Sequence, residues 1–452
     1  MKYISFCVVF ALGLVVAAAQ TPNPQQPAPP AQQPSSIATT INGASGAAPR
    51  LAVPAFLAAS SDAETVAAAK TISDVLWNDL NYEHEFTFVS RDVYSTIPPA
   101  TSIDNPPFDR WREVNADGLI VGSVQKSGNG LLIRYRLFDV TSRRQVLGTE
   151  YSGSSNARRY AHTIADEIFK AQRNLQGVAR TKLSFTSDRD GERLAGTIFD
   201  RNVKEIYISD YDGENQTRVT AGRTLNAFPS WSPDARSIAY VSWRRGQPNI
   251  FVSHIYDGTL DEITKNAAEN YLPAWSPDGT RIAFSSTRDG HSQIYVANSN
   301  GTNVRRLTNG PSLDTTPTWS PKGNEIAFTS DRSGTPQIYV MSADGLGGVQ
   351  RLTAESYADR PTWSTETNEI AFESRTGARF DVKIINMNDR TVSQLTHGEG
   401  SNESPAFAPN GRHLVFMSDR SGKFQIYTMT RDGRDVRQLT KAGTNTLPSW
   451  SR

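Results

Sequence analysis

Trp231, Trp275, Trp319 and Trp363 follow one another at intervals of 44 residues, and the series continues at Phe407 and, 43 residues later, at Trp450. Each aromatic stands two residues after a proline: Pro229, Pro273, Pro317, Pro361, Pro405 and Pro448. A period of 40–45 residues with one aromatic marker per unit is the signature of a radial array of small β-sheets, a propeller. Three more series keep the same count. Apolar triplets recur at 183–185, 238–240, 282–284, 326–328, 370–372 and 414–416, and a second set at 206–208, 250–252, 294–296, 338–340, 382–384 and 426–428. A threonine closes each unit: Thr220, Thr264, Thr308, Thr353, Thr396 and Thr440. The repeat therefore predicts six blades of four strands.

Turn chemistry agrees. Pro277-Asp278-Gly279 and Pro409-Asn410-Gly411 suit the turn between first and second strands. Asp212-Gly213, Asp257-Gly258, Asn300-Gly301, Asp344-Gly345 and Asp432-Gly433 suit the turn from third to fourth. The first unit is about eleven residues longer, with the excess in 190–204. It also lacks a Pro-x-Trp strand of its own, whereas Pro448-Ser449-Trp450 stands unpaired near the C-terminus. The C-terminal strand is thus expected to complete the first blade and close a propeller spanning 176–452, leaving no open edge.

Ahead of the repeat, composition divides the chain further. Lys2, the apolar stretch from Ile4 to Val16 and Ala17-Ala18-Ala19 read as an export signal over 1–19. Residues 20–46, rich in Pro, Gln, Ala and Ser, read as a disordered arm. Residues 47–175 alternate helical and strand patterns. Helices are expected at 62–80, 108–114 and 156–172, and strands at 51–56, 86–89, 118–124, 131–140 and 145–152, with a hairpin placed on Asn129-Gly130. This is an α/β (α+β) domain, so the fold class is multidomain: N-terminal α/β domain followed by a six-bladed propeller.

The chain carries 47 basic and 46 acidic residues without a basic run, which speaks against nucleic acid or an anionic membrane surface as partner. Contact with membranes is expected only through partners, and the protein is expected to be monomeric. The single cysteine, Cys7, lies in the export signal, so the mature protein is expected to hold no disulfide. No G-x-S-x-G or H-E-x-x-H stands in the sequence, and the six histidines occupy unrelated phases of the repeat. Asp188-Arg189-Asp190-Gly191 and 210–215 resemble fragments of a calcium loop without its remaining ligands. No catalytic residue, cofactor or metal is assigned.

Arg244, Arg288, Arg332, Arg375 and Arg420, with Arg189 as a looser sixth, recur between second and third strands and must form a ring. They read either as a collar for an anion or as turn staples; neighbouring Asp331 and Asp419 favour the staple. The connectors leading into each inner strand share that face and vary most. They supply the candidate contact residues: Glu269, Asn270, Leu272, Thr315, Thr316, Asp359, Asn402 and Glu403.

The helix Ala161–Phe169, the first-blade motif Ser209-Asp210-Tyr211-Asp212-Gly213-Glu214-Asn215 and the Pro-x-Trp-Ser-Pro-Asp-Gly repeats together resemble the TolB family of periplasmic propellers. The resemblance covers nearly all of the mature chain. It implies a non-enzymatic periplasmic adaptor of a Tol–Pal system. Its propeller mouth would bind the peptidoglycan-associated lipoprotein Pal, with Glu269, Asn270, Leu272, Thr315 and Thr316 facing it. Its N-terminal segment would bind a TolA-like inner-membrane protein, and the assembly would serve outer-membrane integrity and cell division. One departure is that a Pro/Gln tract of about 25 residues replaces the short arm that follows the signal in that family. The alternative to the adaptor is an exported ligand- or glycan-sensing propeller.

Overall fold

The computed structural model describes residues 40–43, 47–193, 203–265 and 268–452. The expected signal, most of the arm and the middle of the first-blade insertion lie outside these residues. Ile41, which composition assigns to the arm, is buried in the α/β domain, and its backbone N–H donates to Gln172 Oε1 at 2.9 Å.

In the α/β domain, β1 (Arg50–Ala52) lies between β3 (Thr87–Phe88) and β4 (Gly118–Ser127), parallel to both; β4, β5 (Gly130–Asp139) and β6 (Arg144–Tyr151) continue antiparallel. The short β2 (Leu57–Ala58) adds to the far end of β4. The hairpin joining β4 to β5 turns on Gly128-Asn129 rather than Asn129-Gly130. Gly128 takes φ 59°, so the glycine occupies the first central position, which demands the left-handed backbone.

Helix α1 (Ala63–Tyr82) starts where the Asp62 carboxylate accepts the Thr65 N–H, and α3 (Ala157–Arg173) where Asn156 accepts that of Arg159. α3 stops at Asn174, a left-handed cap. The apolar stripes of both helices (Ile72, Leu76 and Leu80; Ile164 and Ile168) pack on one face of the sheet through Ile120, Val124, Ile133 and Leu137. Alternate residues Leu119, Val121 and Phe138 point to the other face and meet α2 (Phe108–Glu113) through Phe108 and Trp111.

The repeat forms six four-stranded antiparallel sheets, as the period requires. Their first strands, Asn226–Trp231, Asn270–Trp275, Asp314–Trp319, Ala358–Trp363, Asn402–Phe407 and Asn445–Trp450, touch one another in a closed ring around the axis. The last of these pairs with Lys182–Ser187, so the C-terminal strand completes blade 1, and blades 2 to 6 follow in chain order. The outer strand of each blade is only two or three residues long, yet it is held: the closing threonine hydroxyl accepts the backbone N–H of the third strand at 2.9 to 3.0 Å in all six blades.

Four arginines of the ring are staples. Arg189, Arg288, Arg332 and Arg420 each lie over a Phe/Tyr pair, donate through Nε to the serine two residues earlier, and donate through Nη2 to the first residue of an inner strand: Asn445, Asn270, Asp314 and Asn402. Arg375 rests on Tyr357 and Phe380, and Arg244 on Phe251.

The α/β domain and the propeller share one apolar core, in which Ile168 and Phe169 of α3 join Leu183, Tyr207 and Tyr211 of blade 1 and Val415 and Ile426 of blade 6. Among the described residues, no helix is long and apolar enough to cross a membrane.

Candidate functional site: the propeller mouth and the domain junction

The proline that marks each inner strand dictates the mouth. It has no N–H to give the ladder, so pairing skips the X-Pro dipeptide and a bulge forms at the same place in every blade. The residue before each proline adopts the left-handed region: Phe228 (φ 57°), Leu272 (57°), Thr316 (48°), Arg360 (53°), Ser404 (51°) and Leu447 (56°). For residues other than glycine this conformation costs roughly 1–2 kcal/mol each, which blade packing must offset. These six residues and their prolines line a cavity of about 130 Å³ at one end of the axis. At the other end Trp231, Trp275, Trp319, Trp363, Phe407 and Trp450 surround a second cavity of about 160 Å³.

Arg360 is the one charged side chain lining the mouth. Its guanidinium lies 5.6 Å from the ring of Phe228, on the diametrically opposite blade, and its Nε is 3.7 Å from Glu373. Glu373 is 4% exposed, and burial pushes its carboxyl up to about 8 against the pull of Arg360. It accepts the Ser404 N–H at 2.8 Å.

Of the residues expected to face a partner, Leu272 and Thr316 line the mouth itself. Glu269 is exposed on the rim and accepts the Tyr271 hydroxyl; Thr315 is half-buried. Asp359 accepts the hydroxyls of Thr316 and Tyr357, and Glu403 that of Ser401. Asn270 and Asn402 are a correction. Both are fully buried, taking the staples of Arg288 and Arg420 from their own blades and donating to Asn249 and Asp381 of the preceding blades, so neither side chain is free for a partner. Arg360, Ser404 and Leu447 were missed, although they share with Leu272 and Thr316 the address immediately before the proline of each inner strand.

The second polar assembly lies where the domains meet, on the propeller face opposite the mouth. Two segments far apart in sequence, helix 161–169 and motif 209–215, meet there. His162 Nδ1 is 2.8 Å from Asp79 of α1, and its Nε2 is 3.6 Å from Asp210 of blade 1. Asp210 is also held by Lys182 and Asn215, Asp79 accepts the Tyr211 hydroxyl at 2.8 Å, and Arg158 pairs with Asp212. Burial opposes charge on His162, but carboxylates on both of its nitrogens outweigh it and raise the imidazole to about 9. Burial also pushes the Asp79 carboxyl up. We place the shared proton on His162, because its ring faces carboxylates from two sides. Beside this ion-paired histidine stands an uncharged one. His413 stacks on Tyr82 with ring centroids 4.2 Å apart, its Nε2–H reaches the Tyr82 carbonyl, and burial lowers it to about 3. Asp166 and Glu83 complete the junction by accepting the N–H groups of Ala179 and Val178 in the interdomain linker.

A serine, a histidine and an aspartate also meet in blade 2, unforeseen from the sequence. Ser237 Oγ is 2.8 Å from His254 Nδ1, and His254 Nε2 is 2.9 Å from Asp261. Ser237 and His254 are cross-strand partners and the serine is buried, so this is a sheet-stabilising pair whose hydroxyl has little access to a substrate.

A propeller with a narrow mouth, docked on its opposite face to a small α/β domain, defines a two-domain propeller protein. The chain belongs to the TolB family: models of the TolB beta propeller domain and the TolB amino-terminal domain match residues 173–452 and 38–146. It is similar to the Tol-Pal system protein TolB of Desulfosudis oleivorans, with 33% identity over 208 residues (45% of each chain), and to that of Haemophilus influenzae strain PittGG, with 31% over 223 residues (48% of each). The chain spans about half the length of the curated relatives it matches. The crystal structure of TolB from Acinetobacter baumannii superposes with a TM-score of 0.74 at 27% identity, covering 90% of this chain and 97% of that one.

Proposed function

We propose that this protein is a non-enzymatic periplasmic adaptor of a Tol–Pal system. Its propeller mouth receives a peptidoglycan-associated lipoprotein, and its N-terminal part connects to an inner-membrane Tol protein, in the service of outer-membrane integrity and division. Family membership supports the system. The observation that carries the binding role is the concave mouth itself, lined by the six residues ahead of the inner-strand prolines, of which Arg360 alone is charged. Glu269, Leu272, Thr315, Thr316, Asp359 and Glu403 form the proposed contact rim.

The test is retention of a soluble, lipid-free Pal-type lipoprotein by the immobilised protein, beside a Glu269→Arg/Thr315→Arg variant of unchanged circular dichroism. The reading expects retention by the wild type and loss in the variant. No retention by either folded protein refutes it and favours a small-ligand propeller.

A further inference from the structure

Arg360 differs from the stapled arginines. Arg189, Arg288, Arg332 and Arg420 have donors engaged by a serine and by an asparagine or aspartate. The guanidinium of Arg360, with five donors, makes no side-chain hydrogen bond among the described residues; its contacts are the Phe228 ring and the ion-pair distance of 3.7 Å to Glu373. It is 28% exposed at the side chain, at the centre of an otherwise apolar and hydroxyl-lined mouth. The nearby acids are engaged elsewhere: Asp359 by Thr316 and Tyr357, Glu403 by Ser401, Glu373 by the Ser404 N–H.

We propose that Arg360 is the specificity-determining cation of the mouth, and that it captures a carboxylate side chain presented by the protein partner that enters there. This rests on the adaptor reading above. A guanidinium whose only ring contact is at 5.6 Å keeps its edge donors open to a carboxylate, which can accept two of them side by side. A cavity of about 130 Å³ admits one side chain, since an apolar cavity of similar size holds a molecule such as benzene. Charge complementarity therefore selects an aspartate or glutamate on a protruding segment of the partner.

The groups facing Glu373 are Arg360, Asp359, Glu403 and Tyr357. With its carboxyl raised to about 8, Glu373 keeps most of its proton at neutral pH, which leaves Arg360 available. As pH rises through that value, Glu373 ionises and competes for Arg360, so partner affinity should weaken with rising pH.

The test is calorimetric titration of the full chain with soluble, lipid-free Pal-type lipoprotein at pH 7 and pH 9, in low and moderate salt, for wild type, Arg360→Gln, Arg360→Lys and Glu373→Gln, each checked for an unchanged melt. The expected result is a 10- to 100-fold loss of affinity in Arg360→Gln, partial retention in Arg360→Lys, and a several-fold weakening of the wild type between pH 7 and 9 that Glu373→Gln abolishes. Equal binding by wild type and Arg360→Gln overturns the proposal and leaves the adaptor reading standing. No binding by the wild type overturns both.

Discussion

Replacing His162 by glutamine should cost most stability in mildly acidic solution and almost none in alkaline solution. The histidine rises from an ordinary 6.5 to about 9 on folding. At about 1.4 kcal/mol per unit, this is worth about 3 kcal/mol of preferential protonation. The group is 4% exposed, so solvent screening takes little of this away. The sign follows from the direction of the shift. The folded state binds the proton more tightly, so the contribution is complete below pH 6.5, declines between 6.5 and 9, and is gone above 9. Because one apolar core runs through both domains, urea unfolding should report a single transition. The stability gap between wild type and His162→Gln should therefore be about 3 kcal/mol wider at pH 6 than at pH 9.5. His413 supplies a contrast in the same junction. Its pKa is lowered on folding to about 3, so its contribution is complete above pH 6.5 and is lost as pH falls, and the gap to His413→Phe should narrow towards acid. A His162 gap that stays constant from pH 6 to 9.5 would refute the claim that an imidazolium bridges Asp79 and Asp210.

Other expectations concern the propeller. Arg332→Ala should cost about 3–5 kcal/mol, since it strands the fully buried Asp314 carboxylate. Adding Asp314→Asn should recover most of that loss in urea titrations, because Asn270, Asn402 and Asn445 fill the same place elsewhere; no recovery would show that the cost lies in ring stacking. Trp450→Ala should cost about 3–5 kcal/mol by cavity formation, and removing 445–452 should abolish the single thermal transition followed by circular dichroism. A truncated chain melting like the wild type would rule out ring closure by that strand.

Much of the site's framework was readable from residue order, for physical reasons. A proline at a fixed phase forbids a ladder bond wherever it falls, so the six bulges at Pro229 to Pro448 follow from local chemistry, whereas the left-handed residues ahead of them run against the extended backbone that a following proline favours. The role of Arg360 was not readable. Glu373 lies on the paired neighbouring strand, but Phe228 lies on the opposite blade, and only ring closure brings it to Arg360. Asn270 and Asn402 looked like contact residues because polar side chains in variable loops usually face water, but their blades bury them under arginine staples.

The sequence alone determined the count of blades, the closing strand and the α/β domain, because each depends on periodicity or on the backbone limits of proline and glycine. The tertiary structure decided that Arg360, the one charged residue among the six equivalent positions, reaches across the mouth to Phe228. It also decided that helix 161–169 and motif 209–215 form one junction, and that two histidines a few ångströms from the same helix hold opposite protonation states. These depend on burial and on which charges face one another across the fold, quantities that exist only once the chain has closed on itself.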